Sequence, residues 1–308
     1  MSGSDIPSHH GPAGTTDGSY PNEIMKVLFE RASLRDFSDR DVTKEVLEMV
    51  LKAGTHAPTG GNLQPYSIIK VQNGETRRAL AELMGQRFIG NAPVSLLFCI
   101  DLRRLERWAE LEVAPFTATS SFRHFWISFQ DTVICAQNIC TAADSMGLGS
   151  VYVGSVLEIF RELREMFLLP SGVFPVVLLC LGYPKSEVAL RRKLGIDVVV
   201  HEERYSDPGD DELLAAFNDK YSGGDARQVL LTEERLRALH EVSRTVHGAE
   251  FADRCVARAR ENGFISAVQR YFGLHYRANR MPKGNLEFIK MMEEADLHFF
   301  REYTPKKG

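Results

Sequence analysis

The sequence predicts an α+β fold of three layers, in which a few strands are set among many helices. The composition is that of an ordinary globular protein, because 44% of the 308 residues are hydrophobic and 25% are charged. Long segments repeat apolar residues at helical spacing, whereas only a few short apolar runs have the character of strands. Helices and strands do not alternate regularly, so a doubly wound parallel sheet fits the order of elements less well.

The first third of the chain predicts helices and strands around one long loop. Thr43 is a suitable N-cap for the second helix, and Glu45 is favourable in its first turn. The run VSLLFCID is almost wholly apolar, which indicates a strand buried on both faces. In chain order the predicted elements are a helix over Pro21–Glu30, a helix from Thr43 through Lys52, a loop over Gly54–Pro65, a strand over Tyr66–Val71, a helix over Glu75–Met84 and a strand over Val94–Asp101.

The middle of the chain predicts one long central helix over Phe122–Met146. It is apolar and free of Gly and Pro, and Gly147 follows as a residue that ends helices. After it we expect a strand over Ser150–Val153, a helix through Phe167, a strand over Val176–Tyr183, and a last strand or extended arm over Ile196–Val200. From Asp210 the chain is mostly polar with helical periodicity, notably over Glu233–Glu261 and Leu286–Phe300.

Charge and cysteine content exclude several classes of protein. The net charge is -4, with 37 basic and 41 acidic residues mixed along the chain, so we expect no nucleic-acid partner. No apolar run approaches the roughly 20 residues that span a bilayer, so we expect no membrane partner. The five cysteines form no CxxC pair, and four of them sit in apolar runs, which suits a cytoplasmic protein. Residues 1–20 resemble no signal peptide and are expected to be a disordered tail.

A first candidate group lies in ERASLRDF, just after the first helix. Arg31, Ser33 and Arg35 alternate, so in an extended segment they would point the same way and converge on one anion. Guanidinium groups match the geometry of phosphate and stay charged. A solvated surface cluster is the simpler interpretation of this group taken alone.

A second group is the loop APTGGNLQPYS. Its prolines stiffen the ends, and its glycines let the backbone approach a flat ligand closely. A long surface turn is the alternative. The candidate ligand residues are Pro58, Thr59, Gly60, Asn62 and Gln64.

A third group, GLGSVYVGS, is not a dinucleotide fingerprint. Tyr152 stands where GxGxxG needs its third glycine, and a helix instead of a strand precedes the first one. The predicted strand instead ends at Val153, Gly154 and Ser155, where backbone N–H groups are free to donate. A plain strand-to-helix turn explains the same residues equally well.

A fourth group, LRRKLG, places Arg191 and Lys193 two residues apart, where both could close over a phosphate. A solvated charge run is the alternative. No nucleophile with an adjacent base and no tight metal-ligand spacing is present, so we expect no metal and no catalytic side chain. A bound cofactor would then carry the chemistry.

Taken together and in order, these segments resemble the nitroreductase / NAD(P)H:flavin oxidoreductase family. The matching runs are RASLR, APTGGNLQPYS, MGQRF, GLGSVYVG followed by LGYP, and LRRKL with VVVHEERY. They cover about Pro21 to Tyr205. The remaining residues resemble more weakly the tail of the major oxygen-insensitive, NADPH-preferring branch. In the family, prolines usually stiffen the basic segment that binds the FMN phosphate, and LRRKLG lacks them.

The resemblance implies a three-layer α-β-α sandwich with a central, mainly antiparallel sheet. It also implies an intertwined homodimer with FMN at the interface, and NADPH or NADH as donor. Residues 21–205 would form the FMN-binding domain, and residues 206–308 a helical extension that wraps the dimer.

Site residues follow from the resemblance position by position. Arg31, Ser33 and Arg35 would bind the phosphate and ribityl chain, with Arg191 and Lys193 as a second clamp. Gln86 would reach the polar edge of the flavin. The backbone of Val153, Gly154 and Ser155 would face N5, while Pro58, Thr59, Gly60, Asn62 and Gln64 would cover the ring from the other subunit.

The expected reaction is ping-pong hydride transfer through flavin N5 to a nitroaromatic compound, a quinone or a flavin. Three alternatives keep the fold but change the chemistry: a biosynthetic oxidase, a reductive dehalogenase or a flavin-fragmenting enzyme. A non-catalytic FMN-binding redox module is a further alternative. The segment Asp101–Phe116 holds Arg103, Arg104, Arg107 and Trp108, which would suit an anionic aromatic substrate, although an ordinary amphipathic helix explains it more simply.

Overall fold

The computed structural model describes residues 20–221 and 228–304. The tail expected to be disordered, residues 1–20, lies outside the described residues except for Tyr20. Of the described residues, 20–190 and 289–304 form one compact unit, and 191–221 with 228–288 form a second. No helix of the described part is both long enough and apolar enough to cross a membrane.

The first unit contains a four-stranded sheet, all of whose neighbouring strands are antiparallel, in the order β1-β2-β4-β3. The predicted antiparallel α+β architecture is therefore confirmed. The elements of this unit are α1 (Glu23–Glu30), α2 (Lys44–Thr55), β1 (Tyr66–Val71), α3 (Gly74–Leu83), α4 (Phe88–Asn91), β2 (Val94–Asp101), α5 (Leu102–Leu111), α6 (Phe122–Ser145), β3 (Gly149–Val153), α7 (Phe160–Met166) and β4 (Val173–Gly182).

Strand β2 shows why the fold has three layers. All eight of its residues are buried, as the apolar run predicted. Alternate side chains enter different cores: Leu96 and Phe98 pack with residues of α2 and α6, whereas Leu97 and Cys99 pack with residues of α3, α4 and α7. Because strand side chains alternate between faces, one apolar strand supports a helical layer on each side.

The helix ends follow the predicted signals. The Thr43 side chain accepts a hydrogen bond from the Val46 N–H at the start of α2. Helix α6 ends at Ser145 and is followed by Gly147, whose φ of +76° is the left-handed conformation that glycine adopts readily. Four of the five cysteines are buried, as expected for core residues.

The second unit is mainly helical. Its elements are α8 (Ile196–Val199), α9 (Asp210–Lys220), β5 (Val229–Leu230), α10 (Glu233–His247), α11 (Ala249–Asn262), β6 (Phe264–Ile265), α12 (Ala267–Arg270) and a π-helical turn at Tyr271–His275; α13 (Asn285–Glu294) begins in this unit and ends in the first.

The prediction of a last strand or extended arm over Ile196–Val200 is wrong. These residues form the short helix α8, in which the Val200 N–H donates to the Ile196 carbonyl at 2.8 Å. A strand needs a neighbouring strand to satisfy its backbone, and none of the described strands pairs with this segment. The helical turn satisfies the backbone locally instead.

The division between the units also differs from the boundary expected after Tyr205. The break falls between Leu190 and Arg191, and residues 289–304 return to the first unit. There the Gly172 N–H donates to the Ala295 carbonyl at 2.7 Å, and the Phe125 and Phe299 rings lie 4.9 Å apart. A change of composition near Asp210 carries no information about contacts so distant in sequence.

Candidate functional site

The segment after α1 runs beside the first residues of β3. Ser33 bridges Ser150 in parallel orientation, and the Leu34 N–H donates to the Ser150 carbonyl at 2.9 Å. Leu34 is buried, while Ser33 and Arg35 are exposed on either side of it. The expected alternation is therefore present, and it turns Ser33 and Arg35 away from the core.

Arg31 behaves differently from the other two. Its Nε lies 3.3 Å from Oδ2 of Asp144, and its Nη2 donates to Oγ of Ser150 at 3.2 Å. The Asp144 side chain is only 11% exposed, and its burial raises the pKa of the carboxyl group, an effect that the Arg31 charge partly offsets. Arg31 is thus held by a carboxylate from α6 and a hydroxyl from β3.

The turn between α3 and α4 meets the end of β3. Gln86 donates through Nε2 to Oγ of Ser155 at 3.1 Å. The Arg35 guanidinium carbon lies 5.8 Å from the centre of the Phe88 ring, two residues beyond Gln86. The fold therefore brings together two candidate residues that lie 69 positions apart in the sequence.

The backbone at this strand end is open. Val153 is buried, but Gly154 is exposed, and a Cβ added at Gly154 would meet no atom within 4 Å. Ser155 begins a 3-10 turn, Ser155–Glu158, whose first N–H groups have no partner within the turn. The space beside Gly154 is therefore open at least for an added methyl group.

The glycine-rich loop is tied to α6. The Gly60 N–H donates to both carboxylate oxygens of Asp131, at 3.2 and 3.0 Å. Burial raises the pKa of Asp131, and the hydrogen bond from Gly60 lowers it by less. The loop is therefore positioned by a buried carboxyl group and is more than a plain surface turn.

The same loop contains two of the six non-glycine residues of the described part that have a positive φ. Asn62 and Gln64 have φ values of +56° and +50°, which non-glycine residues rarely adopt. Gln64 is secured because its Nε2 donates to the Thr55 carbonyl at 3.0 Å and to the Tyr66 hydroxyl at 3.1 Å. Burial raises the pKa of Tyr66 to about 12, so its hydroxyl stays protonated at neutral pH. Such strain is common where a loop holds a ligand.

One polar atom of this loop lacks a partner. The Thr59 Oγ1 is buried and makes no hydrogen bond within the described residues. Buried hydroxyl groups are normally satisfied, so an unsatisfied one indicates a missing ligand or water. Pro58 and Asn62 are exposed beside it.

The donor set fits a flat, phosphorylated cofactor such as FMN. Arg35 is exposed and could supply a cation for a phosphate. Gln86 could supply a polar side chain for a ring edge, and Gly154 and Ser155 could supply backbone N–H groups. Arg191 and Lys193 are exposed residues of the second unit, and the contacts described above join residues of the first unit only.

The sequence analysis did not single out Asp131, Asp144 or Ser150. The available signal was the position of two acidic residues within the apolar helix α6. A carboxyl group in such a helix must be paired or hydrogen-bonded when it is buried. Both Asp131 and Asp144 are indeed engaged by candidate site residues, Gly60 and Arg31.

Known proteins resemble this chain over most of its length. It is 32% identical over 197 residues to the oxygen-insensitive NADPH nitroreductase of Salmonella typhimurium. The aligned region covers 64% of this chain and 80% of that protein. It is 32% identical over 213 residues to an FMN reductase (NAD(P)H) of Bacillus subtilis, and the aligned region covers 66% of this chain and 86% of that protein.

The fold is also that of solved structures. The hypothetical oxidoreductase YcnD from Bacillus subtilis superimposes with a TM-score of 0.70 at 27% identity, covering 91% of this chain and all (100%) of that one. The family model described as Nitroreductase family matches residues 28–183, which include the antiparallel sheet and the candidate residues from Arg31 to Ser155. On these grounds the chain belongs to the nitroreductase family.

Proposed function

We propose that the chain is an FMN-dependent NAD(P)H oxidoreductase that reduces nitroaromatic compounds, quinones or flavins. The single observation that carries this proposal is the meeting of Gln86 with Ser155 beside the open backbone of Gly154. The family membership and the names of the relatives, an NADPH nitroreductase and an FMN reductase, support it.

In this proposal the residues of the chain bind and orient FMN. Arg31, Ser33 and Arg35 hold the phosphate and ribityl chain, joined by Arg191 and Lys193. The guanidinium groups of the arginines suit phosphate binding because they remain charged at any working pH. Arg31 is oriented by Asp144, so its fork is fixed before the phosphate arrives.

The polar edge and the reactive face of the ring are held separately. Gln86 would donate to the edge, and the N–H groups of Gly154 and Ser155 would face N5, where hydrogen bonds stabilise developing negative charge. Bound FMN would supply the hydride chemistry, taking two electrons from the nicotinamide and giving them to the acceptor. Because donor and acceptor share one face, the chain must release one before it binds the other.

The assembly in this proposal is a homodimer. The loop of Pro58, Thr59, Gly60, Asn62 and Gln64 covers the FMN bound by the partner subunit, which would give the Thr59 hydroxyl a polar partner. Residues 206–308 wrap the partner. The five thiols, four of them buried, suit the reducing conditions of the cytoplasm.

The test is an anaerobic stopped-flow experiment on the purified protein. We expect a bound yellow flavin that bleaches on mixing with NADPH or NADH and recovers when nitrofurazone or menadione is added. Initial rates with both substrates varied should give the parallel lines of ping-pong kinetics. A bound flavin that neither nicotinamide reduces would refute the reductase and favour a specialised flavin reaction or a redox module.

A further inference from the structure

A cavity of about 470 Å³ lies in the first unit between β1, helix α5 and the residues that precede β4. This volume falls within the roughly 300–1,000 Å³ typical of small-molecule sites. None of the residues proposed to bind FMN lines it. Its lining is therefore a different set of residues from the proposed flavin site, although the two are joined where Arg104 donates to the Gln64 carbonyl at 2.5 Å.

The cavity carries a surplus of positive charge. Arg103 and Arg107 lie four residues apart on α5, which places them on one face of the helix. Both are exposed, and their guanidinium groups have no ion pair or hydrogen bond among the described residues. Two guanidinium groups on the same rim of the cavity are thus available to bind an anion.

The one acidic residue among those lining the cavity does not cancel this charge. Asp101 accepts a hydrogen bond from the Ser67 hydroxyl at 2.5 Å and lies 3.6 Å from Nη1 of a third arginine, Arg104. Arg104 also donates through Nη2 to the Tyr66 carbonyl at 2.7 Å. Asp101 and Arg104 satisfy each other and the end of the sheet, which leaves Arg103 and Arg107 uncompensated.

The remaining wall is flat and apolar. The Trp108 side chain is half exposed, and Leu111 beside it is 77% exposed. The Arg104 guanidinium carbon lies 5.7 Å from the centre of the Trp108 ring, a cation–π contact that restrains the indole. Leu169 and Val173 form the apolar floor.

The two walls are fixed to each other. The Gly172 carbonyl accepts from the N–H groups of Leu102 and Arg103, at 2.9 and 3.3 Å. Gly172 has a φ of +83°, and a Cβ there would lie 3.0 Å from Cβ of Arg103. The cavity therefore exists before any ligand binds, which lowers the entropic cost of binding.

We infer that this cavity binds a flat organic anion, one with an aromatic body and a carboxylate or phosphate group. The ring would lie against Trp108 and the apolar floor, while the anion receives paired hydrogen bonds from Arg103 and Arg107. A carboxylate and a phosphate satisfy these forks by the same chemistry, so both are tested.

The experiment is calorimetric titration of the intact, flavin-loaded protein with 2-naphthoate, with 2-naphthyl phosphate, and with neutral 2-naphthamide. The visible spectrum of the flavin is recorded throughout, because a ligand beside the flavin would perturb it. We expect saturable binding of one or both anions with an unchanged flavin spectrum, and no binding of the amide. The anion that binds more tightly shows which head group the two arginines prefer.

The variants Arg103→Ala and Arg107→Ala should each weaken binding about tenfold or more, the effect of losing one charge-assisted hydrogen bond. Lys52→Ala, which removes one exposed positive charge from α2, is the matched control and should bind as the parent does. The inference is overturned if neither anion binds, if both arginine variants bind like the Lys52 variant, or if binding occurs only with a change in the flavin spectrum. Each outcome can be read whether or not the protein reduces nitro compounds.

Discussion

Replacing Asp144 by Asn should weaken the binding of FMN far more than that of riboflavin, which lacks the phosphate. Asp144 touches Arg31 and, in the proposed function, never touches the flavin itself. Any effect on FMN binding must therefore arise from a change in the orientation of the Arg31 guanidinium group. Riboflavin keeps the ring and the ribityl chain but lacks the phosphate, so it is the ligand that reports an effect unrelated to phosphate binding.

The structure sets the magnitude. Breaking a fully buried ion pair costs about 3–5 kcal/mol, but the Arg31 side chain is 26% exposed and keeps the Ser150 hydroxyl as an acceptor. The amide oxygen of Asn can still accept from Nε, and the cost of burying the Asp144 charge disappears. We therefore expect a loss of about 1–2 kcal/mol in FMN binding, about five- to thirtyfold in the dissociation constant.

The assay is the quenching of flavin fluorescence when FMN or riboflavin is added to protein freed of its flavin. Asp144→Glu, which keeps the charge, should recover most of the FMN affinity. Equal losses for FMN and riboflavin would show that Asp144 only supports the fold. An unchanged FMN affinity would show that Arg31 needs no orientation, and either result would refute the reasoning.

Three further predictions concern the same unit. Gln86→Ala and Ser155→Ala should be coupled by about 0.5–1.5 kcal/mol in FMN binding, because each removes the same hydrogen bond; strictly additive losses in a double-mutant cycle would contradict this. Burial raises the pKa of Asp131, so the folded protein keeps that proton to higher pH than the unfolded chain. As pH rises above about 4, the ordinary range of a carboxyl group, this contribution to the stability of the parent should fall, and denaturant titrations should show Asp131→Asn losing less; parallel curves would contradict it. Gly149→Ala would place a Cβ 2.6 Å from Cδ2 of Leu34, so we expect about 1–3 kcal/mol of destabilisation in urea, and an unchanged midpoint would show that Leu34 can move aside.

Local patterns predicted most of the first unit. The bounds of β1 and β2 are those predicted from the apolar runs, and the Thr43 cap and Gly147 stop lie where local rules place them. These features depend on residues within a few positions of one another. They can be inferred without knowledge of the tertiary fold.

The failures have a different physical origin. Ile196–Val200 has the apolar, β-branched composition of a strand, but strand formation depends on a partner that the local sequence does not supply. The return of residues 289–304 to the first unit is likewise a long-range packing event. The link between Arg31 and Asp144 joins residues separated by 113 positions, so only a tertiary structure shows it.

The binding roles of the candidate residues remain predictions. The structure places Gln86 against Ser155 and Ser33 beside Ser150, which motif order alone could only imply. The cavity at Arg103 and Arg107 was represented in sequence by a basic, Trp-containing segment with two competing interpretations. The helix α5 agrees with the simpler interpretation, while the cavity beside it supports an anionic aromatic ligand that binds away from the flavin.

The return of the last described residues to the first unit has a consequence for the order of synthesis. The ribosome makes residues 20–190 about a hundred residues before it makes residues 289–304, yet Ala295 and Phe299 complete the surface around Gly172 and Phe125. At about 5–20 residues per second, the earlier part waits several seconds or longer with those groups uncovered. The nascent chain therefore exposes an aromatic face for that time, and this interval is when a chaperone would be most needed.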